Sequence, residues 1–206
     1  MKNGICYIVC AGDNYGLDFK VREEDMVIAA DAGYSYLEQA GIPADLVIGD
    51  FDSVDRRPEH PNMIVLPKEK DDTDTLAAMK EGIKAGYKEF CIYCGTGGRF
   101  DHTYANIQLL VYLSTHDMKG SLIDKSTIIT AVTNGSIAVR SQTRQYVSVF
   151  AYGEKAEGVT LRGLKYELDN GVLTHDFPLG VSNELSEEQG EITVANGTLI
   201  VVYPRY

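Results

Sequence analysis

The chain has 206 residues, of which 44% are apolar and 24% charged, and its formal net charge is −11. That length holds one large domain or two small ones with separate cores, and so acidic a surface repels nucleic acid and anionic membranes, which excludes both as partners. No apolar run reaches the length of a membrane span, and the opening run MKNGICYIVCAGD carries one lysine and no small-residue cleavage site, so it reads as a first strand and not as a signal peptide.

Five short β-rich apolar runs punctuate the first 115 residues: ICYIVC, MVIAA, DLVIGD, MIVLP and FCIYC. Helical stretches lie between several of them. Residues 34–40 form a short one, stopped by Gly41 and Pro43. Residues 73–85 form a longer one with Leu76, Met79 and Ile83 at helical spacing, closed by Gly86. Residues 102–115 follow, offering Ile107, Leu110 and either Val111 or Leu113 to a core. Strands alternating with helices predict an α/β domain with a mostly parallel sheet and right-handed crossovers.

Near Gly120 the pattern changes and helical periodicity disappears. Asn134-Gly135 between two β-rich runs is a hairpin signal, and Asn170-Gly171 and Asn196-Gly197 are two more. The second half therefore reads as an all-β sandwich or barrel. The boundary falls at about residues 116–121, giving domains over 1–118 and 119–206.

The four cysteines are Cys6, Cys10, Cys91 and Cys94. If EFCIYCG is a buried strand, the offset of three puts Cys91 and Cys94 on opposite faces, about 10 Å apart. They then share neither a metal nor a disulfide, and all four thiols read as apolar core residues suited to a reducing cytoplasm.

Ligands of open α/β sheets bind beyond the carboxyl ends of the strands, where this chain collects its unusual residues. Asp31 follows MVIAA; Asp50 and Asp52 follow DLVI; Asp71, Asp72, Thr73 and Asp74 precede the second helix. On an extended backbone Asp50 and Asp52 face the same way, and such a like-charged pair calls for a neutralising cation. A hard divalent ion such as Mg²⁺, which takes few carboxylates plus phosphate oxygens, fits. Asp72 or Thr73 equally suits helix capping. Gly95, Gly97, Gly98, Arg99, Asp101 and His102 fill the next strand-to-helix connection. They form neither a P-loop nor a dinucleotide fingerprint. Glycines that admit a close approach, a helix N-terminus and a forked cation nevertheless suit a polyphosphate.

Taken in order, the motifs resemble the thiamin pyrophosphokinase family. They are Ala30-Asp31-Ala32-Gly33, then Pro43 through Ser53, Glu69 through Asp74, Gly97 through His102 with Asn106, Gly163 through Tyr166, and Ser182-Asn183-Glu184. The likeness covers nearly the whole chain; Tyr166 stands where many members carry Trp. The resemblance implies an α/β catalytic domain that binds ATP, a β-sandwich domain that binds thiamin, and a homodimer. Its active sites would form where the first domain of one subunit meets the second domain of the other. By the same carry-over Asp50, Asp52 and Asp74 would hold Mg²⁺, while Asp31, Asp71 and Thr73 would line the site and orient ATP or thiamin. Gly97, Gly98, Arg99, Asp101 and His102 would serve the nucleotide, and Ser182, Asn183 and Tyr166 would reach thiamin. The expected reaction moves the pyrophosphoryl group of ATP to the thiamin hydroxyl, with Asp71 or Asp74 taking the proton. Two rivals remain open: a glycosyltransferase using a DxD pair on a metal-bound nucleotide sugar, which leaves the Gly97–His102 run unexplained, and a non-catalytic thiamin or nucleotide sensor.

Overall fold

The apolar runs of the first half become parallel strands, β1 (Ile5–Val9), β2 (Met26–Ala30), β3 (Leu46–Gly49), β4 (Met63–Val65) and β5 (Glu89–Tyr93), joined by β6 (Lys119–Ile123). The computed structural model of the chain describes residues 2–51, 58–67, 69, 71–140 and 145–205. The strand order is β4-β3-β2-β1-β5-β6. In-register neighbours such as Ile28, Ile8 and Ile92 run across it. β1, β2 and β3 are buried almost throughout, as expected of parallel strands covered on both faces. The sixth strand lies beyond the pattern change at Gly120 and is still parallel to β5.

Among the described residues three helices accompany this sheet: α1 (Gly33–Ala40), α2 (Asp74–Lys84) and α3 (Phe100–Thr115). α1 stops at Gly41, whose φ of 68° is the left-handed cap a glycine favours. α2 starts at Thr73, whose hydroxyl accepts a hydrogen bond from Leu76 N at 3.2 Å. Its buried residues are Thr75, Ala77, Ala78, Met79 and Gly82; of the Leu76, Met79 and Ile83 that the spacing favours, Met79 is fully buried and the other two are half-buried. The reason is proximity: a Cβ on Gly82 would lie 2.7 Å from both Cys6 Sγ and Phe90 Cε1, so the helix lies on the sheet through its small residues. α3 begins two residues earlier than expected and buries Asn106, Leu109, Leu110 and Leu113, leaving Ile107 and Val111 half-buried.

No helix follows β1. Residues 11–24 run as a strap instead, held by Phe19 stacked on Tyr7 with ring centres 4.2 Å apart and leaning on Tyr93 at 5.0 Å. Asp25 ties the strap's end to β1. Burial raises its carboxyl pKa, but the Arg22 guanidinium and the N–H groups of Ile5 and Arg22 outweigh burial and hold it below the usual carboxylate value.

The chain divides into two compact units, Met1–Leu109 with Met118–Asp124, and Leu110–Asp117 with Lys125–Tyr206. The strands of the second are β7 (Thr127–Thr133), β8 (Ser136–Arg140), β9 (Tyr146–Arg162), β10 (Leu168–Thr174), β11 (Asn183–Glu184), β12 (Gln189–Thr193) and β13 (Asn196–Pro204). All their pairings are antiparallel, in the order β7-β13-β9-β12-β8, with β10 and β11 also on β9. Val139, Val149, Leu161, Leu173, Ile192 and Leu199 are among its core. No helix among the described residues is long and apolar enough to cross a membrane.

The three Asn-Gly signals mark bends but not hairpins. Asn134 has φ 48°, yet β7 pairs with β13 and β8 with β12. Asn134 instead docks on the Asn196-Gly197 turn: its N–H donates to Gly197 O at 3.1 Å and its Oδ1 accepts from Gly197 N at 2.8 Å. Asn170, with φ 50°, sits inside β10, where the register against β9 slips around Gly171, so this pair makes a bulge.

None of the four cysteines is in a disulfide, but the strand that would put Cys91 and Cys94 on opposite faces does not extend to Cys94. β5 ends at Tyr93, and Cys94 lies beyond it with φ 54°, so strand alternation does not reach it. Burial pushes the thiols of Cys6 and Cys10 up to about 12, which keeps both protonated at neutral pH.

Candidate active site

From β1 the first unit builds outward through β2, β3 and β4, then returns to place β5 on the other side of β1. The loops leaving the carboxyl ends of β1 and β5 part at this reversal and open a crevice. A cleft of about 400 Å³ lies there. Its walls come from the end of β1 (Cys10 to Asp13), the end of β2 (Ala30, Asp31), the start of α2 (Asp74, Thr75), the loop after β5 (Cys94 to Arg99) and α3 (His102, Asn106), with Tyr36 from α1.

The glycines decide how close these walls come. Gly12 N donates to Cys94 O at 2.7 Å and Asp13 N to Thr96 O at 2.9 Å, continuing the β1–β5 lacing past the strand ends. A Cβ on Gly12 would lie 2.4 Å from Thr96 O, and one on Gly97 would lie 2.2 Å from the Asp13 carboxyl carbon. Buried Asn106 fastens the loop from below, its Nδ2 donating to Gly95 O at 2.7 Å. Thr96 adds a 2.6 Å hydrogen bond to Asp124. Gly97 and Gly98, with φ of 79° and 57°, then lead into the N-terminus of α3, whose first turn is joined by Thr103 N to Arg99 O. Exposed Arg99 and Asp101 form a two-point ion pair, Nε to Oδ1 at 3.2 Å and Nη2 to Oδ2 at 2.5 Å. The Arg99 guanidinium holds the Asp101 carboxyl below its usual pKa.

Across the cleft the surface is acidic. Asp31 leaves β2 with φ 51° and its N–H donates to Ile48 O at 2.8 Å. Asp74 is the first residue of α2, behind the Thr73 cap. One wall thus offers the Asp31 and Asp74 carboxylates, and the other offers glycine backbone, a helix N-terminus and the Arg99 guanidinium, with the Asp13 carboxyl set against Gly97. Such a polarity suits a polyphosphate whose charge is shared between a cation and backbone donors.

The cleft gathers Asp31, Asp74, Gly97, Gly98, Arg99 and His102 from the sequence-predicted set. Asp50, Asp71, Thr73 and Asp101 are not in its lining. Asp50 is half-buried just past β3, Asp71 is exposed, and Asp72 is bound to Lys80 at 2.6 Å. The shared facing expected of Asp50 and Asp52 requires an extended backbone, and Phe51 between them has φ 58°, which is left-handed. Asp52 itself lies outside the described residues. Among the described residues no three His, Cys, Asp or Glu side chains converge as a metal-binding group. The donors in the cleft are hard carboxylate oxygens, and few of them, which is the chemistry Mg²⁺ accepts when phosphate and water complete its shell.

In the second unit Ser182 is exposed with φ 55°, Asn183 is buried, and the Tyr166 ring is exposed. Sequence reasoning passed over Asp13, Tyr36, Thr75 and Thr96. The position of Asp13, directly after the first apolar run, was a usable signal. Tyr36 had none, because its role is a 3.1 Å hydrogen bond from its hydroxyl to Gly12 O, far away in the chain.

The first unit is thus an open parallel α/β unit with its cleft at the strand-order reversal. Residues 19–122 match the family model described as thiamin pyrophosphokinase, catalytic domain, and residues 136–199 match thiamin pyrophosphokinase, vitamin B1 binding domain. A thiamine pyrophosphokinase of Bacillus subtilis is 34% identical over 187 residues, covering 87% of each chain. A crystal structure of thiamine pyrophosphokinase from B. subtilis superposes with a TM-score of 0.86 at 28% identity, covering 98% of this chain and 99% of that one. The Geobacillus thermodenitrificans enzyme does so with 0.84 at 28% identity, covering 98% of each. The chain belongs to the thiamin pyrophosphokinase family.

Proposed function

We infer that the chain is a thiamin pyrophosphokinase, transferring the pyrophosphoryl group of ATP to the hydroxyl of thiamin to give thiamin diphosphate and AMP. The observation that carries this reading is the cleft lined by Asp31 and Asp74 and by the Gly97–Gly98–Arg99 loop with His102, nearly all of it within the part of the chain that matches the catalytic-domain model.

In the reaction the thiamin hydroxyl attacks the β-phosphorus and AMP leaves, so the protein's task is alignment and charge stabilisation. The N–H groups around Gly97 and Gly98, together with Arg99 and His102, hold the nucleotide phosphates. Asp101 presets the Arg99 fork by its ion pair. Asp31 orients substrate at the acidic wall, and Thr73 fixes the start of α2 and with it Asp74. Asp71 or Asp74 accepts the hydroxyl proton. Asp50, Asp52 and Asp74 would hold Mg²⁺, which supplies neutralising charge to the triphosphate.

The second unit supplies the thiamin end through Ser182, Asn183 and Tyr166, within the residues that match the vitamin B1 model. We read it as a β-sandwich and the molecule as a cytoplasmic homodimer that completes each site with the partner's second unit. Incubation of the protein with Mg²⁺, ATP and thiamin, followed by chromatography, is expected to show AMP and thiamin diphosphate rising in step. ADP with thiamin monophosphate would overturn the assignment.

A further inference from the structure

We propose that Asn183 is a positioning residue, one that mounts Tyr166 as a rigid aromatic platform and affects thiamin binding through that ring. The proposal rests on the reading of the second unit as the thiamin-binding part.

Asn183 is 3% exposed, whereas Tyr166 is 62% exposed. The Asn183 side chain is engaged with main chain at both ends. Its Oδ1 accepts from Tyr166 N at 3.0 Å and from Glu184 N at 2.9 Å, and its Nδ2 donates to Tyr166 O at 2.8 Å. One buried amide therefore receives both backbone polar groups of Tyr166, which would otherwise need solvent or another partner. Around it, residues 163–166 lie along residues 183–186. Lys165 N donates to Glu184 O at 2.8 Å, Ser186 N to Gly163 O at 3.0 Å, and Leu164 bridges Leu185. Leu164 and Leu185, 2% and 1% exposed, root both segments in the core.

Such a mount holds in place the backbone of a side chain that contributes little burial of its own. An exposed aromatic on an ordered backbone offers a flat ligand a large contact at small entropic cost. The ligand class follows from the surroundings. Lys165 Nζ lies over the Tyr166 ring, 5.3 Å from its centre, and pairs with Glu184 Oε1 at 3.1 Å, so the ring already accepts a cation on its π face. That makes it a platform suited to a flat heteroaromatic ring, including a cationic one. Asn183 itself, nearly inaccessible and committed to three main-chain hydrogen bonds, is built as support rather than as a recognition group.

A thermodynamic cycle tests this. Thiamin binding is measured by titration calorimetry on the full chain without nucleotide, for wild type, Tyr166→Ala, Asn183→Ala and the double variant, with ATP binding measured in parallel. Loss of a stacked ring is expected to weaken thiamin by about tenfold or more. Asn183→Ala should weaken it several-fold, and the double variant should be no weaker than Tyr166→Ala alone, because the second change has nothing left to act through. Asn183→Asp keeps both acceptor bonds and loses the donor to Tyr166 O, so it should fall between wild type and Asn183→Ala. It replaces Asn183→Ala in the cycle should that variant fail to fold in a melting scan. ATP affinity should stay within about twofold throughout. Losses that multiply in the double variant would mean that Asn183 contacts thiamin directly. Wild-type affinity in either single variant would remove the platform. Either result in a protein that still makes thiamin diphosphate defeats only this proposal. A wild type that neither binds nor converts thiamin defeats the functional reading beneath it.

Discussion

Gly97 and Gly98 are neighbours with positive φ, yet they meet different surroundings. A side chain at Gly97 runs into the Asp13 carboxyl, whereas nothing lies within 4 Å of a Cβ at Gly98. Gly97→Ala should therefore destabilise the fold by about 1–3 kcal/mol and cut turnover with ATP at least about tenfold, because both φ and the close approach to Asp13 are lost. Gly98→Asn, at a left-handed φ that asparagine tolerates, should leave the melting temperature almost unchanged. Equal melting losses in the two variants would show that backbone conformation alone governs this loop. Much at this scale was legible in the sequence. Asp31, Asp74 and the Gly97–His102 run sit where short apolar runs end, and strand ends are where an open sheet keeps its ligand residues. The backbone after Asp50 was not legible, because the left-handed φ of Phe51 breaks the extended run assumed there. Nor was the depth of Asp13 in the cleft, which depends on loop contacts with residues more than eighty positions away.

α2 shows how a local signal and a packing constraint divide an element between them. Thr73 caps it as its chemistry predicts, and Asp74 follows at the first helical position. Thr73→Ala should cost about 1 kcal/mol and lower the melting temperature by roughly 2–4 °C, with Thr73→Ser restoring most of it. Unchanged melting in Thr73→Ala would show that the cap contributes nothing here. The buried face of α2 was misread in part because the small residues Ala78 and Gly82 meet the sheet, leaving Leu76 and Ile83 half-buried. Hydrophobic spacing picks out Met79, which is fully buried, but does not reveal that at Gly82 the helix comes too close to Cys6 and Phe90 to admit any side chain. The Asn-Gly pairs teach the same lesson. Each does bend the chain, since asparagine and glycine accept positive φ, but which strands flank a bend is not local information. Asn134 closes onto Gly197, and Asn170 kinks a strand it was expected to end.

The proposed homodimer has its own test at the scale of the whole molecule. An Asp74→Asn subunit carries a defective first unit, and a Tyr166→Ala subunit carries a defective second one. With shared sites, a mixed dimer has one site bearing both defects and one bearing neither. Random exchange of equal amounts should then recover about a quarter of wild-type activity at low thiamin. No recovery despite demonstrated exchange would place each site within one chain. The sequence by itself determined the kinds of element and their succession, strands alternating with helices and then strands alone, since periodicity, capping and turn chemistry act over a few residues. It also carried the family, because the site motifs keep their order along the chain. Tertiary structure decided which strands are neighbours. That includes the return of β5 to the free side of β1, which creates the cleft, and the inclusion of β6 in the parallel sheet after the pattern had changed. It also decided that Asn183 turns inward to hold Tyr166. Those outcomes rest on register, close approach and burial between residues far apart in the chain, and no short stretch of sequence encodes them.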